Sequence, residues 1–281
     1  MALVENDPRR LRRGTTAAPM LSFRKKRRSL SERRVLKSIC KFLRQISGFC
    51  WAKRFIRSRK LKPLSSEEIF SRYYRGNKWG GKDSVSGRGS DDDQTVIIVK
   101  ALPSLCADFG ISTILDIPCG DFHWMKKVDL GNMAYVGADI VGDMIASNTE
   151  QFGSNSTKFR QLDLVNDPLP RVDLVFCRDC LVHLSFVDIF AALNNLCDSQ
   201  AEYVLTTTFT DARENQDIVT GQWRPINLVQ APFHFPPPLK IINEGCSEGG
   251  GAFRDKSLGL WRLSDVQSCL TRKSASRPSA I

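Results

Sequence analysis

The amino-acid sequence predicts an α/β protein: a doubly wound, mostly parallel sheet with helices on both faces, preceded by a basic extension. Three observations carry this prediction. Five short apolar runs alternate with stretches of helical periodicity. Aspartates close the first three runs at near-equal spacing, Asp116, Asp139 and Asp163. The charge divides the chain in two: residues 1–62 hold 20 Lys+Arg against 3 Asp+Glu, and residues 63–281 hold 21 against 27. A net of +17 on the extension thus hides a body of net −6, and the overall +11 says nothing about the body as a nucleic-acid binder.

The domain reading is therefore an extension, 1–62, and one globular domain, 63–281. The extension opens with Arg9, Arg10, Arg12, Arg13 and the run 24–28, without apolar periodicity, and is expected to be disordered there. From Ser31 the residues Val35, Leu36, Ile39, Phe42, Leu43 and Ile46 recur at three- and four-residue steps. They form the apolar stripe of a basic amphipathic helix. Its readings are an organelle-targeting peptide, an anchor on a membrane surface through residues 31–60, a nucleic-acid tail, or a helix docked on the body. No run approaches the ~18 apolar residues of a spanning helix, so an integral membrane protein is not expected. Nine scattered cysteines in 281 residues suit reduced thiols of an intracellular compartment better than a disulfide scaffold. An apolar share of 42% with 25% charged residues excludes a wholly disordered, collagen-like or coiled-coil chain.

In the body, residues 95–109 carry Val96, Val99, Leu102, Leu105 and Cys106 at helical steps, with Pro103 a candidate kink and Gly110 a stop. Thr113–Ile117 reads as a buried parallel strand, followed by strands over 135–140, 158–164, 172–177 and 203–209. A helix over 186–196 presents Phe186, Ile189, Phe190, Leu193 and Leu196 on one face. The run 232–238 reads as a rigid proline-rich loop.

Ligands of such sheets bind beyond the carboxyl ends of the strands, where the strand order reverses. An acid after the second strand can accept hydrogen bonds from both hydroxyls of a ribose. The turn after the first strand, Ile117-Pro-Cys-Gly-Asp121, lacks the three spaced glycines of a dinucleotide site. Pro118 removes a donor and Asp121 would repel phosphate, so the turn suits a positively charged cofactor.

These motifs resemble those of the class I S-adenosylmethionine-dependent methyltransferases. "ILDIPCGD" is similar to that family's first motif, with Pro-Cys-Gly in place of the commoner glycine run. "YVGADIV", "FRQLDL", "VDLVFCRDCLVHL" and "YVLTTTF" resemble the next four, and "LGLWRL", 258–263, the closing antiparallel strand. The resemblance covers about residues 65–265. It implies a Rossmann-like fold with a seven-stranded, mostly parallel sheet, and S-adenosyl-L-methionine as cofactor. It places Asp116, Pro118, Cys119, Gly120 and Asp121 at the turn under the methionine moiety, and Asp139 with Ile140 at the ribose. Asp163 and Leu164 fall at the adenine, and Arg178 and Asp179 at the sulfonium end.

Upstream, "YYRGNKWGGKDSVSGRGSD" reads as a loop closing over the cofactor, with Trp79 and Arg88 facing in and Arg88 set to pair with a carboxylate. Asp179 or His183 would be the catalytic base, sharing one face of a helical turn, with His123 as a third choice placed among the substrate contacts. Trp223, Arg224 and Phe233 are the remaining substrate-side candidates. One CxxC, Cys177 to Cys180, falls short of a zinc pattern, and no metal is expected. The function expected is methyl transfer to an oxygen of a small molecule or glycan. The alternatives are an RNA or protein methyltransferase recruited by the extension, and a non-catalytic S-adenosylmethionine-binding module.

Overall fold

The computed structural model describes residues 58–275, and side chains as far as residue 271. The amphipathic helix read over residues 31–46 and the 31–60 membrane contact fall wholly or mostly outside them. Among the described residues no helix is long and apolar enough to cross a membrane.

Seven strands form one sheet: β1 Thr113–Asp116, β2 Ala134–Asp139, β3 Thr157–Gln161, β4 Leu174–Cys177, β5 Tyr203–Phe209, β6 Lys240–Asn243 and β7 Lys256–Arg262. Their order is β3-β2-β1-β4-β5-β7-β6. The first five are parallel, and β7 runs antiparallel to both β5 and β6. The order reverses between β1 and β4, which places a crevice beyond Asp116 and Cys177.

Strand periodicity explains why both faces of the sheet are covered. Along β4, Leu174 and Phe176 enter one core and Val175 and Cys177 the other. Ile114 and Leu115 of β1, and Leu205 and Val204 of β5, divide in the same way. The helices α1 Ser66–Arg75, α2 Asp92–Asp108, α3 Gly142–Phe152, α4 Phe186–Asp198 and α5 Leu263–Ala275 flank the sheet. α1 starts on a capping box: Glu68 N–H donates to the Ser65 hydroxyl while the Glu68 carboxylate accepts from Ser65 N–H. α2 continues through Pro103, because Ile98, Leu102, Leu105 and Cys106 anchor it on either side of the proline.

Three expectations shift. The third strand stops at Gln161, so Asp163 lies in the following turn, where its carboxylate accepts from Val165 N–H (2.8 Å) and Asn166 Nδ2 (2.7 Å). Asp179 and His183 do not share a helical face: Asp179 has φ 53°, and a 3-10 turn covers Leu181–His183. Phe233 is fully buried against Phe186 and Phe190 and cannot meet a ligand.

Candidate active site

The carboxyl ends of β1, β2 and β4 open into a cavity of about 480 Å³. Its floor is the turn after β1. Gly120 there has φ 58°, and a Cβ would fall 2.3 Å from Ser86 Oγ, so only glycine fits under the covering loop. Asn148 Nδ2 fixes the turn by donating to the Gly120 carbonyl at 2.7 Å. Asp139 Oδ2 accepts from Gly120 N–H (3.2 Å) and Oδ1 from Val141 N–H (3.0 Å). Below them Asp116 accepts a 2.6 Å bond from the Tyr135 hydroxyl. Neither acid has a cation within ion-pair distance among the described residues. Burial therefore pushes the Asp116 carboxyl up to about 8 and that of Asp139 up to about 6.

Residues 76–91 cover this floor. Asp91 gathers the segment by accepting from Lys82 N–H (3.0 Å) and Asp83 N–H (2.9 Å). Asp121 pins it to the turn, accepting from Ser84 Oγ (2.9 Å), Val85 N–H (2.9 Å) and Ser86 Oγ (3.2 Å). Asp121 lines the cavity as expected, but its carboxylate holds the lid in place. Trp79 and Arg88 both reach the cavity wall. Trp79 packs against Phe70, Tyr73 and His183.

At the other end, beyond β4, four charges meet, of which Arg178, Glu244 and Lys256 are buried and Asp179 is partly exposed. Arg178 Nη2 donates to Glu244 Oε2 (2.7 Å), and Lys256 Nζ donates to Asp179 Oδ2 (2.6 Å) and lies 3.3 Å from Glu244 Oε2. Arg178 Nη1 is 3.5 Å from Asp179, and its guanidinium sits over the Trp124 ring. Burial disfavours the charge of Asp179, yet the Lys256 ammonium and Arg178 guanidinium hold its carboxyl down at about 2. Arg178 Nη2 also donates to the Gly89 carbonyl at 2.7 Å and so latches the lid at its second end. His183 Nδ1 lies 2.9 Å from the Gln222 carbonyl, which can only accept. Nδ1 therefore carries the proton, and Nε2 is the basic nitrogen of the neutral ring.

Of the residues singled out in the sequence, Trp79, Arg88, Asp116, Pro118, Cys119, Gly120, Asp121, Asp139, Ile140, Asp163, Leu164, Arg178, Asp179, His183 and Trp223 all line this one cavity. Two do not. His123 Nε2 lies 2.7 Å from Asp92 and borders a separate surface depression, because Phe122 at φ 57° turns the chain outward. Arg224 is buried with its guanidinium against the Leu181, Leu184 and Gln216 carbonyls (2.7, 2.8 and 3.2 Å), so it ties backbone and meets no ligand. Sequence reasoning missed Glu244, Glu248, Phe253 and Lys256. The one available signal was Lys256 itself, a lysine opening a strand that is buried from Lys256 to Trp261.

No protein-family model matches the chain, and no curated protein does. Solved structures do. The N-methyltransferase NodS from Bradyrhizobium japonicum, in complex with S-adenosyl-L-homocysteine, superposes with TM-score 0.50 at 13% identity over 67% of this chain and 97% of that one. The chain has the fold of the class I S-adenosylmethionine-dependent methyltransferases. Human N-acetylserotonin methyltransferase with S-adenosylmethionine gives TM-score 0.47 at 14% identity, covering 76% of this chain and 66% of that one. The YcgJ protein from Bacillus subtilis gives 0.33 at 19% identity, and the alignment spans 39% of this chain and about half, 49%, of that one. Within this fold the Pro118–Asp121 turn follows β1, Asp139 ends β2, and the crevice lies between β1 and β4.

Proposed function

We propose that the protein transfers a methyl group from S-adenosylmethionine to an oxygen of a small-molecule acceptor. The observation that carries this reading is Asp139: a buried carboxylate at the end of β2, fixed by two backbone N–H groups and facing the cavity. Backbone donors orient such an acid to receive a pair of ribose hydroxyls. The remaining donor set also fits. Leu164 is a buried apolar wall for a flat base, Asp163 sits beside it, and Arg88 is a cation on the lid for a carboxylate.

Bound there, S-adenosylmethionine supplies a methyl group on a positively charged sulfur, an electrophile that needs no further activation. The protein has only to align the acceptor, exclude water and take a proton. His183 takes it: with Nδ1–H given to Gln222, Nε2 is the acceptor nitrogen. Trp79 and Phe70 pack on the ring and hold its orientation. Asp179 is not the base, because Lys256 and Arg178 keep it ionised and engaged. The lid, latched at Asp121 and Arg178, closes the site from water.

Calorimetry of the full chain with S-adenosylmethionine tests the cofactor: micromolar binding that Asp139→Asn weakens supports the reading, and no binding by folded wild-type protein ends it. His183→Ala should leave that affinity unchanged while lowering turnover by about 10²–10⁴-fold.

A further inference from the structure

The acceptor side of the cavity carries one carboxylate more than it has cations, and that carboxylate makes no ion pair among the described residues. Arg178 and Lys256 balance Asp179 and Glu244 within the quartet. Glu248 adds a fifth charge at its edge. It has no cation within 4.0 Å among the described residues, and its Oε2 accepts from the Cys246 thiol at 3.9 Å. Glu248 is half-buried and faces the cavity.

Three aromatic rings line the same cavity, and one of them, Phe253, packs on the chain next to Glu248, 3.0 Å from where a Cβ of Gly249 would stand. Trp223 and Phe253 meet edge to face at 4.9 Å, and Phe209 closes the group at 6.0 Å from each. Trp223 remains 42% exposed, although it borders the cavity. An aromatic wall next to a carboxylate recognises one kind of group: a cation, drawn to the ring faces and to the acid together. The lid approaches this wall closely at residue 89, which has no side chain. A Cβ on Gly89 would lie 3.0 Å from Asp179 Oδ2, 3.3 Å from Lys256 Nζ and 3.5 Å from Glu248 Oε2.

We propose that Glu248 with Trp223 and Phe253 forms an ammonium subsite, so that the acceptor is a flat-ringed molecule bearing a protonated amine. The amine anchors and another group of the molecule, its hydroxyl, is methylated. The assignment of the reacting group rests on the methyltransferase reading above, whereas the ammonium subsite stands on the wall itself.

Three probes that share a ring and differ in charge test it: tyramine (cationic), 4-ethylphenol (neutral) and 3-(4-hydroxyphenyl)propionate (anionic). They are titrated calorimetrically into the full chain with and without S-adenosylhomocysteine. Tyramine should bind about tenfold or more tightly than 4-ethylphenol, and the propionate most weakly. Glu248→Gln should bring the three affinities within about twofold, while Trp223→Leu should weaken all three. Equal binding of the probes, binding of none, or a tyramine preference that survives Glu248→Gln overturns the subsite. S-adenosylhomocysteine binding without a tyramine preference leaves the methyltransferase reading intact. A tyramine preference without S-adenosylhomocysteine binding removes that reading and leaves the subsite.

Discussion

The two ends of the cavity treat their carboxylates in opposite ways: Asp116, Asp139 and Glu244 are buried, and Asp179 keeps 28% of its side chain exposed. At the floor, Asp116 and Asp139 are held by a phenol and by backbone N–H groups. Neutral donors compensate only part of the lost hydration, and the acids rise to about 8 and about 6. Beyond β4, Asp179 and Glu244 are held by Lys256 and Arg178, and Asp179 falls to about 2. Burial alone does not set the protonation of an acid; the charge of its partner does. The floor suits an incoming cation, which supplies the countercharge the protein withholds. At the far end Asp179 and Glu244 are already paired by Lys256 and Arg178 and act as a polar frame.

The strongest way to break this contrast is to remove one cation from the quartet. Lys256→Met leaves two carboxylates with a single guanidinium, and chemical denaturation at neutral pH should show a loss of about 3–5 kcal/mol. Asp116→Asn, which removes a buried acid that lacks a countercharge, should cost far less and show no such loss at pH 8. If the two variants are equally destabilised, the contrast fails.

The next effect concerns the ligand. Asp139→Asn should weaken S-adenosylmethionine by roughly 10–100-fold, the value of hydrogen bonds to a charged acceptor. Asp139 accepts hydrogen bonds best as an anion, so wild-type affinity should fall as pH drops below about 6, and the asparagine variant should lack that dependence. Calorimetry between pH 5 and 8 checks both.

The unliganded protein's stability should carry the same contrast in its pH dependence. Asp116 and Asp139 bind protons more tightly folded than unfolded, since their carboxyls rise from 3.8. Their contribution therefore declines as pH climbs from about 4 through 6 to 8. Asp179 works the other way: its contribution is present above 3.8 and is lost as pH falls toward about 2. Asp116→Asn should flatten the upper slope, and thermal melts across that range measure it.

The smallest effect sharpens the boundary of the site. His123→Ala removes a surface contact to Asp92 outside the cavity, so it should change stability by less than about 1 kcal/mol and leave cofactor affinity unchanged.

Much of the fold was legible because burial is written in local composition. β5 falls at the limits its apolar run sets, Tyr203–Phe209, and α4 starts at the expected Phe186. β6 escaped notice because Lys240–Asn243 is a mostly exposed edge strand with no apolar pattern of its own. Helix α3 buries only Met144, Ile145 and Asn148 of its eleven residues, too thin a stripe to stand out. At the site, the acids after the strands were legible since the parallel sheet fixes where strand ends lie. The roles of Arg224 and His123 were not. A buried arginine tying three carbonyls and a half-buried histidine beside an aspartate look alike in sequence to ligand contacts.

The sequence by itself determined the alternation of strands and helices, the crevice at their carboxyl ends and the acids that line its floor. All of these follow from residue spacing along one segment. The tertiary structure decided the rest: that Asp179 is a paired anion and His183 gives its Nδ1 to Gln222, that Asp121 holds a lid, and that Glu248, Trp223 and Phe253 line one cavity. Each depends on groups far apart in the chain, such as Asp179 with Lys256 or His183 with Gln222. Charge and hydrogen bonding act through space, over distances that linear order does not record.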